Sequence, residues 1–283
     1  MKSFLASKGN VRGVEWILMG VPLDLTVSRL PGSRKGPEAI RVESIHLETY
    51  SMDAERDLED ISFHDVGDIV LEGKDVRESL EVIEAVANRF LAMGKKLFTF
   101  GGEHLVTLPL VKAASKLHPD IKVLHFDAHA DLRENYHGSP LTHATVMRRV
   151  AETCLDSPKS LYQLGIRSAT RDEFRWAKEN TNFAPGKVLE PLKEILPLLR
   201  GHPVYVSIDI DVVDPGFAPG TGTPEPCGIK PQELLGALRL LGSLDIVGCD
   251  LVEISPMLDV NGITASLGAR ICRDSLLFWA GEA

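Results

Sequence analysis

Three short polar clusters in this chain each follow directly on an apolar, β-branched run. KLFTF (96–100) leads into Gly101-Gly102-Glu103-His104, and KVLHF (122–126) leads into Asp127-Ala128-His129-Ala130-Asp131. VYVSI (204–208) leads into Asp209-Ile210-Asp211 and then Asp214-Pro215. In an extended segment alternate residues share a face, so Asp127, His129 and Asp131 emerge together, as do Asp209 and Asp211. A lone D-x-D is weak, since it serves equally as a solvated turn or cap. Together, two histidines and four aspartates in one crevice carry about four negative charges. Carboxylates held that close cannot all stay ionised unless cations sit between them. Oxygen and nitrogen donors with carboxylate in excess favour a hard ion such as Mn2+ over a structural zinc. Two such ions roughly 3.5–4 Å apart share carboxylates and hold a water between them. That water is acidified toward hydroxide and becomes a nucleophile near neutral pH.

The elements that must position these groups are legible as alternating strands and helices. Strands are expected at Trp16–Val21, Lys96–Phe100, Lys122–Phe126, Leu161–Ile166, Val204–Ile208 and Ile246–Val252. Several are apolar almost throughout, as strands covered on both faces are. Helical spacing occurs over Val76–Met93, Leu105–Leu117, Thr142–Glu152, Thr170–Glu179 and Pro231–Gly242, the last two opening on good first-turn residues. This alternation predicts an α/β fold with a parallel sheet and helices on both faces. Ligands of such sheets bind just beyond the carboxyl ends of the strands, so the three clusters should converge. No internal repeat, low-complexity tract or interdomain linker interrupts the chain.

Composition bounds the function classes. The 283 residues are 44% hydrophobic and 25% charged, which excludes disorder. With 31 basic and 40 acidic residues the net charge is −9, which favours a small cationic substrate and argues against nucleic acid or an anionic membrane. Four scattered cysteines form no C-x-x-C pair, as expected of reduced thiols in the cytoplasm. No secretory core opens the sequence, and no run approaches membrane-spanning length.

With these features in view, the sequence resembles the ureohydrolase family of arginases and agmatinases. The matching stretches are GGEH (101–104), DAHAD (127–131), SIDIDVVDP (207–215), APGTGTPE (218–225), DLVEISP (250–256) and the N-terminal GVPLDLTVSRLPGSRKGPEAIR (20–41). The resemblance implies one ureohydrolase domain over residues 1–283, a three-layer α/β/α sandwich around about eight mainly parallel strands. It also implies two Mn2+ ions and hydrolysis of a guanidino group to urea and an amine by a metal-bridging hydroxide. One ion would take His104, Asp127, Asp131 and Asp209, and the other His129, Asp127, Asp209 and Asp211. Asp131 would also direct the hydroxide. A homo-oligomer, trimer or hexamer, is implied as well.

The same resemblance assigns Glu253 to gripping the guanidinium and His143 to carrying protons at the mouth. Each has a plainer alternative: a buried Glu paired with a structural Arg, and a solvated histidine at a helix start. His137 competes with His143 but matches no family motif. Thr221 and Thr223 in the Gly-rich loop would offer hydroxyls to substrate, while Asp214 reads as a turn brace. Arg167 reads as structural or interfacial, and Arg133 as solvated or interfacial. Leu105 and Cys227 depart from the family pattern near the site. The S-G-N stretch with which arginases hold an α-carboxylate and α-amine is absent, and R-E-N-Y and S-P-L-T-H stand there instead. Agmatine, giving putrescine for polyamine synthesis, is therefore the expected substrate. Guanidinobutyrate or arginine are the enzymatic alternatives, and a silent metal-binding homologue is the non-enzymatic one.

Overall fold

A computed structural model describes residues 3–281 of the chain. The strands are β1 (Trp16–Val21), β2 (Tyr50–Ser51), β3 (Arg56–Asp57), β4 (Phe63–Asp68), β5 (Lys96–Gly101), β6 (Lys122–Phe126), β7 (Leu161–Leu164), β8 (Asn182–Ala184), β9 (Pro203–Asp209) and β10 (Asp245–Val252). The helices are α1 (Gly36–Ser44), α2 (Val76–Leu91), α3 (Thr107–Leu117), α4 (Val146–Thr153), α5 (Arg171–Asn180), α6 (Leu189–Leu199), α7 (Pro231–Leu241) and α8 (Ile263–Trp279). Apart from the small β2–β3 hairpin, the strands form one eight-stranded sheet in the order β4-β1-β5-β10-β9-β6-β7-β8. Every pairing within it is parallel.

Alternation along each strand builds two cores, one on each face. Trp16, Leu18, Phe98 and Phe100 point to the face covered by α1, α6, α7 and α8. Ile17, Met19 and Leu97 point to the face covered by α2, α3, α4 and α5. The arrangement is the three-layer sandwich expected. The expected strand running to Ile166 stops at Leu164 because Gly165, at φ 89°, turns the chain away. The helices expected from Leu105 and Thr142 open with tight single turns, His104–Val106 and His143–Thr145.

Besides the β2–β3 hairpin, five elements of the main sheet and its covering helices were not apparent from residue spacing. β4 and β8 are the sheet edges, and β4 carries His64, Asp65 and Asp68 where an apolar run would be the signal. Asp65 is nevertheless buried, because Arg41 of α1 reaches it with Nε at 2.7 Å and Nη2 at 2.9 Å. α1 opens on Gly-Pro, α6 contains Pro197, and α8 buries Arg273 and Asp274 against each other. Among the described residues no helix is long and apolar enough to cross a membrane.

Candidate metal centre

The four central strands, adjacent in the order β5-β10-β9-β6, end at one crevice. They deliver His104, Glu253, the Asp209–Asp211 pair and the Asp127–Asp131 run. Close backbone approach sets this up. Gly102 N–H donates to the Val21 carbonyl and Glu103 N–H to the Leu23 carbonyl, each at 2.8 Å. A Cβ on Gly102 would lie 1.9 Å from the Leu23 carbonyl oxygen, so only glycine lets β5 end here and present His104.

The polar clusters lock onto one another through backbone amides. Asp209 Oδ1 accepts the Asp211 N–H at 2.9 Å, and Asp211 Oδ1 accepts the Ala128 N–H at 3.0 Å. Asp131 and Glu253 hold left-handed backbone conformations, φ 52° and 63°. Such conformations cost about 1–3 kcal/mol each in non-glycine residues and collect at functional sites. At Asp131 the turn is held because its carbonyl accepts the free N–H groups of Met147 and Arg148 at the start of α4.

The side-chain atoms left over converge. His104 Nδ1 lies 3.1, 3.2 and 3.4 Å from carboxylate oxygens of Asp127, Asp131 and Asp209. His129 Nδ1 lies 2.9 Å from Asp211 Oδ2 and 3.6 Å from Asp127 Oδ1. Yet buried His104 Nδ1 and Asp211 Oδ2 make no directed hydrogen bond. Burial, with Asp211 and Asp127 alongside, pushes the Asp209 carboxyl well above its usual range. Burial opposes charge on His104, but Asp127, Asp131 and Asp209 raise its pKa well above the ordinary value. Two orphaned buried atoms and a surplus of carboxylate fit divalent cations.

Partners behind the cluster fix which atoms face it. Ser207 Oγ gives its proton to Asp250 Oδ1 at 2.7 Å, so it accepts from His104 Nε2 at 2.9 Å. That leaves the Nδ1 lone pair toward the carboxylates. His125 comes within ligand distance of the cluster too, but both its nitrogens are engaged. Gln163, whose amide also donates to the Ala130 carbonyl, donates to His125 Nδ1 at 3.1 Å. His125 Nε2 therefore donates to Asp127 Oδ2 at 2.8 Å and orients that carboxylate. Residue spacing did not bring out His125 or Ser207. Their signal is a polar residue in an otherwise apolar strand, two positions before a cluster aspartate.

Above the cluster lies a cavity of about 300 Å³ lined by His104, His129, Asp131, Asp209 and Glu253, and nearer the mouth by His143, Arg133, Tyr136, Ser28 and Thr223. Glu253 Oε1 accepts the His104 N–H at 2.7 Å. Burial and neighbouring Glu103 raise its pKa well above the usual carboxylate range. Burial lowers the pKa of His143 against the opposing pull of Asp131. His137 is exposed and lies outside the cavity lining. Thr221 is buried and outside the lining as well, so of the two loop hydroxyls only Thr223 faces the cavity. Leu105 is core, and Cys227 is exposed at φ 66°. Asp214 braces its turn by accepting from Gly216 and Gly228. Arg167 clamps the carbonyls of Asp211, Val212, Glu225 and Pro226. Arg133, expected in solvent or an interface, stands at the cavity rim, its guanidinium 4.6 Å from the Tyr136 ring centre and Nε 3.7 Å from Glu173.

The model of the Arginase family matches residues 14–278. An agmatinase of Bacillus subtilis (strain 168) is 47% identical over 279 residues, covering 98% of this chain and 96% of that protein. A guanidinobutyrase of Pseudomonas aeruginosa is 35% identical, covering 97% and 89%. The crystal structure of an agmatine ureohydrolase of Thermoplasma volcanium superposes with a TM-score of 0.89 at 30% identity, covering 99% of this chain and 94% of that one.

Proposed function

The chain belongs to the arginase family, and from that premise we propose that it is a ureohydrolase cleaving agmatine to putrescine and urea. The observation that carries the reading is the convergence of four neighbouring strand ends on one cavity holding both the carboxylate-rich cluster and Glu253. His104, Asp127, Asp131 and Asp209 would hold one divalent ion, and His129, Asp127, Asp209 and Asp211 the other, with Mn2+ the expected metal. When bound, the ions supply positive charge and acidify a water for attack on the guanidino carbon.

The chain's own groups do the rest. Glu253, with Oε1 engaged by His104, offers Oε2 to the substrate guanidinium. Asp131 orients the attacking water and takes its proton. His143 delivers a proton to the departing amine nitrogen as the C–N bond to the alkyl chain breaks. The water oxygen ends in urea, and both of the water's protons end on the departing nitrogen, which leaves as the ammonium of putrescine.

A second reading has its own observation. Arg133 at the rim would suit an acidic tail, such as that of guanidinobutyrate. Its contacts with Glu173 and Tyr136 and the acidic net charge favour agmatine. Residues 1–283 are read as one catalytic domain, cytoplasmic, assembling as a trimer or hexamer. The test is a urea-release screen over guanidino compounds, with and without Mn2+. Agmatine should turn over best and only with metal. No urea from any guanidino compound would leave a silent homologue.

A further inference from the structure

The loop after β1 has no regular structure, yet it is pinned across the mouth of the cavity. Asp24 Oδ2 accepts the Gly32 N–H at 2.8 Å, and Arg29 Nη1 donates to the Gly222 carbonyl at 3.0 Å. Between these anchors sits Thr26. Its N–H and its hydroxyl both reach Glu103 Oε2, at 2.7 and 2.9 Å. Glu103 is fully buried in the GGEH motif, and nothing in the proposed reaction uses it.

A threonine hydroxyl has one hydrogen, and here it points at a carboxylate. Thr26 Oγ1 can then only accept from its other neighbours. It accepts the His143 backbone N–H at 3.0 Å, and His143 Nδ1 lies 3.4 Å from the same oxygen. A bare Nδ1 would set lone pair against lone pair, so Nδ1 carries the hydrogen. Among the described residues no group pairs with His143 Nε2. The Tyr136 ring meets the imidazole edge-on, 5.7 Å between centres, and limits its rotation.

We infer that Glu103 and Thr26 are positioning residues for His143: Glu103 orients the Thr26 hydroxyl, which keeps the imidazole proton on Nδ1 and leaves Nε2 as the nitrogen that takes up and gives away protons. This rests on the reading of His143 as the proton carrier. A merely structural tie between the loop and β5 would hold the loop without selecting a tautomer.

The experiment uses the full chain. Thr26→Val removes the acceptor at nearly constant shape, and Thr26→Ser restores it. In metal-free protein, long-range proton–nitrogen NMR reports the His143 tautomer, its signal identified by its loss in His143→Ala. Wild type and Thr26→Ser should show Nδ1–H, and Thr26→Val a mixture of both tautomers. With Mn2+ bound, Thr26→Val should lose about tenfold or more in kcat for agmatine, the lower part of what a positioned acid or base contributes. KM should change little, metal content should stay normal, and Thr26→Ser should recover most of the rate. Glu103→Met, which keeps much of the volume and removes the oxygen that accepts the Thr26 hydroxyl, should also mix the tautomers, and it decides the matter if Thr26→Val does not fold. An unchanged Nδ1–H tautomer with wild-type kcat in these variants overturns the inference, and so does a Thr26→Ser as impaired as Thr26→Val. Wild-type protein that fixes the tautomer yet releases no urea from agmatine would sink the substrate reading and leave this positioning role intact.

Discussion

The floor and the rim of the cavity are built by different rules. On the floor, Asp127, Asp209 and Asp211 are at most 4% exposed, and Asp211 is tied to a backbone amide of a neighbouring strand end. At the rim, Ser28 and Arg133 sit on irregular loops, and the Arg133 side chain is 40% exposed. Floor groups are over-determined by the sheet, so the chemistry they allow follows from residue type and spacing. Rim groups meet only because distant loops happen to close on one another, so the part of substrate that reaches them is set by geometry no periodicity records. Substitutions on the floor should therefore abolish, while those at the rim should adjust.

The largest effect is expected for Asp209→Asn. It removes one charge from a carboxylate assigned to both ions, and leaves Asp211 beside a neutral amide. Both metals should be largely lost on dialysis, as metal analysis would show, and urea release should vanish. Full occupancy at full rate would break the bridging assignment. His143→Ala stands between floor and rim: turnover should fall roughly 10²–10⁴-fold with metal content near normal. Metal loss or an unchanged rate would remove His143 from proton transfer.

Substrate discrimination sharpens the contrast next. The rim offers no S-G-N stretch for an α-carboxylate, and burying an unpaired carboxylate is costly. Sites of this kind discriminate by as much as 10⁴-fold or so, and a cautious fraction of that is about 100-fold in kcat/KM for agmatine over L-arginine. Parallel kinetics on the two substrates check this. Comparable values would overturn the agmatine reading and leave the family chemistry standing. Glu253→Gln should keep both metals but turn a charge-assisted contact into a neutral one, forfeiting about 1.5–3 kcal/mol. That is roughly a 10- to 150-fold loss in kcat/KM for agmatine; no change would make Glu253 structural.

The same division explains what the sequence discloses. Asp127, His129, Asp131, Asp209 and Asp211 were legible because the apolar runs before them announce the strands that end there. The extended alternation expected past those ends does not hold, since Asp131 is left-handed and Asp211 lies in the tight turn Ile210–Val212. Even the orienting residues His125 and Ser207 leave a trace, as polar interruptions of those runs. Thr26 leaves none: its partners Glu103 and His143 are 77 and 117 residues away, joined only by the closure of the loop. Arg133, read as solvated or interfacial, is 40% exposed but also lines the cavity, which its spacing did not disclose for a related reason. An arginine in a polar loop looks solvated unless one knows that Tyr136, three residues on, turns back beneath it and that α5 brings Glu173 alongside. Strands β4 and β8 escaped because edge strands need no long apolar run.

Arg133 also provides the finest test of whether the rim merely adjusts. A cation there should repel the amine of agmatine and attract the carboxylate of guanidinobutyrate, unless it is already answered. Glu173 lies 3.7 Å away, and both its oxygens are held in place by backbone amides, Oε1 by Leu132 at 3.1 Å and Oε2 by Thr170 at 2.8 Å. Stacking on Tyr136 fixes the guanidinium plane further. The Arg133 side chain is 40% exposed, and a charge contact made through water-exposed groups is worth only about 0.2–1 kcal/mol, so its loss should shift a nearby charged tail by no more than about fivefold. Arg133→Ala should accordingly raise kcat/KM for agmatine and lower it for guanidinobutyrate by no more than about fivefold each. Both should be measured in the same preparation at two salt concentrations. The changes should shrink at the higher salt, because surface charge is screened over about 8–10 Å. A collapse of guanidinobutyrate turnover by 50-fold or more, insensitive to salt, would mean that Arg133 binds the tail directly. The rim would then be as decisive as the floor.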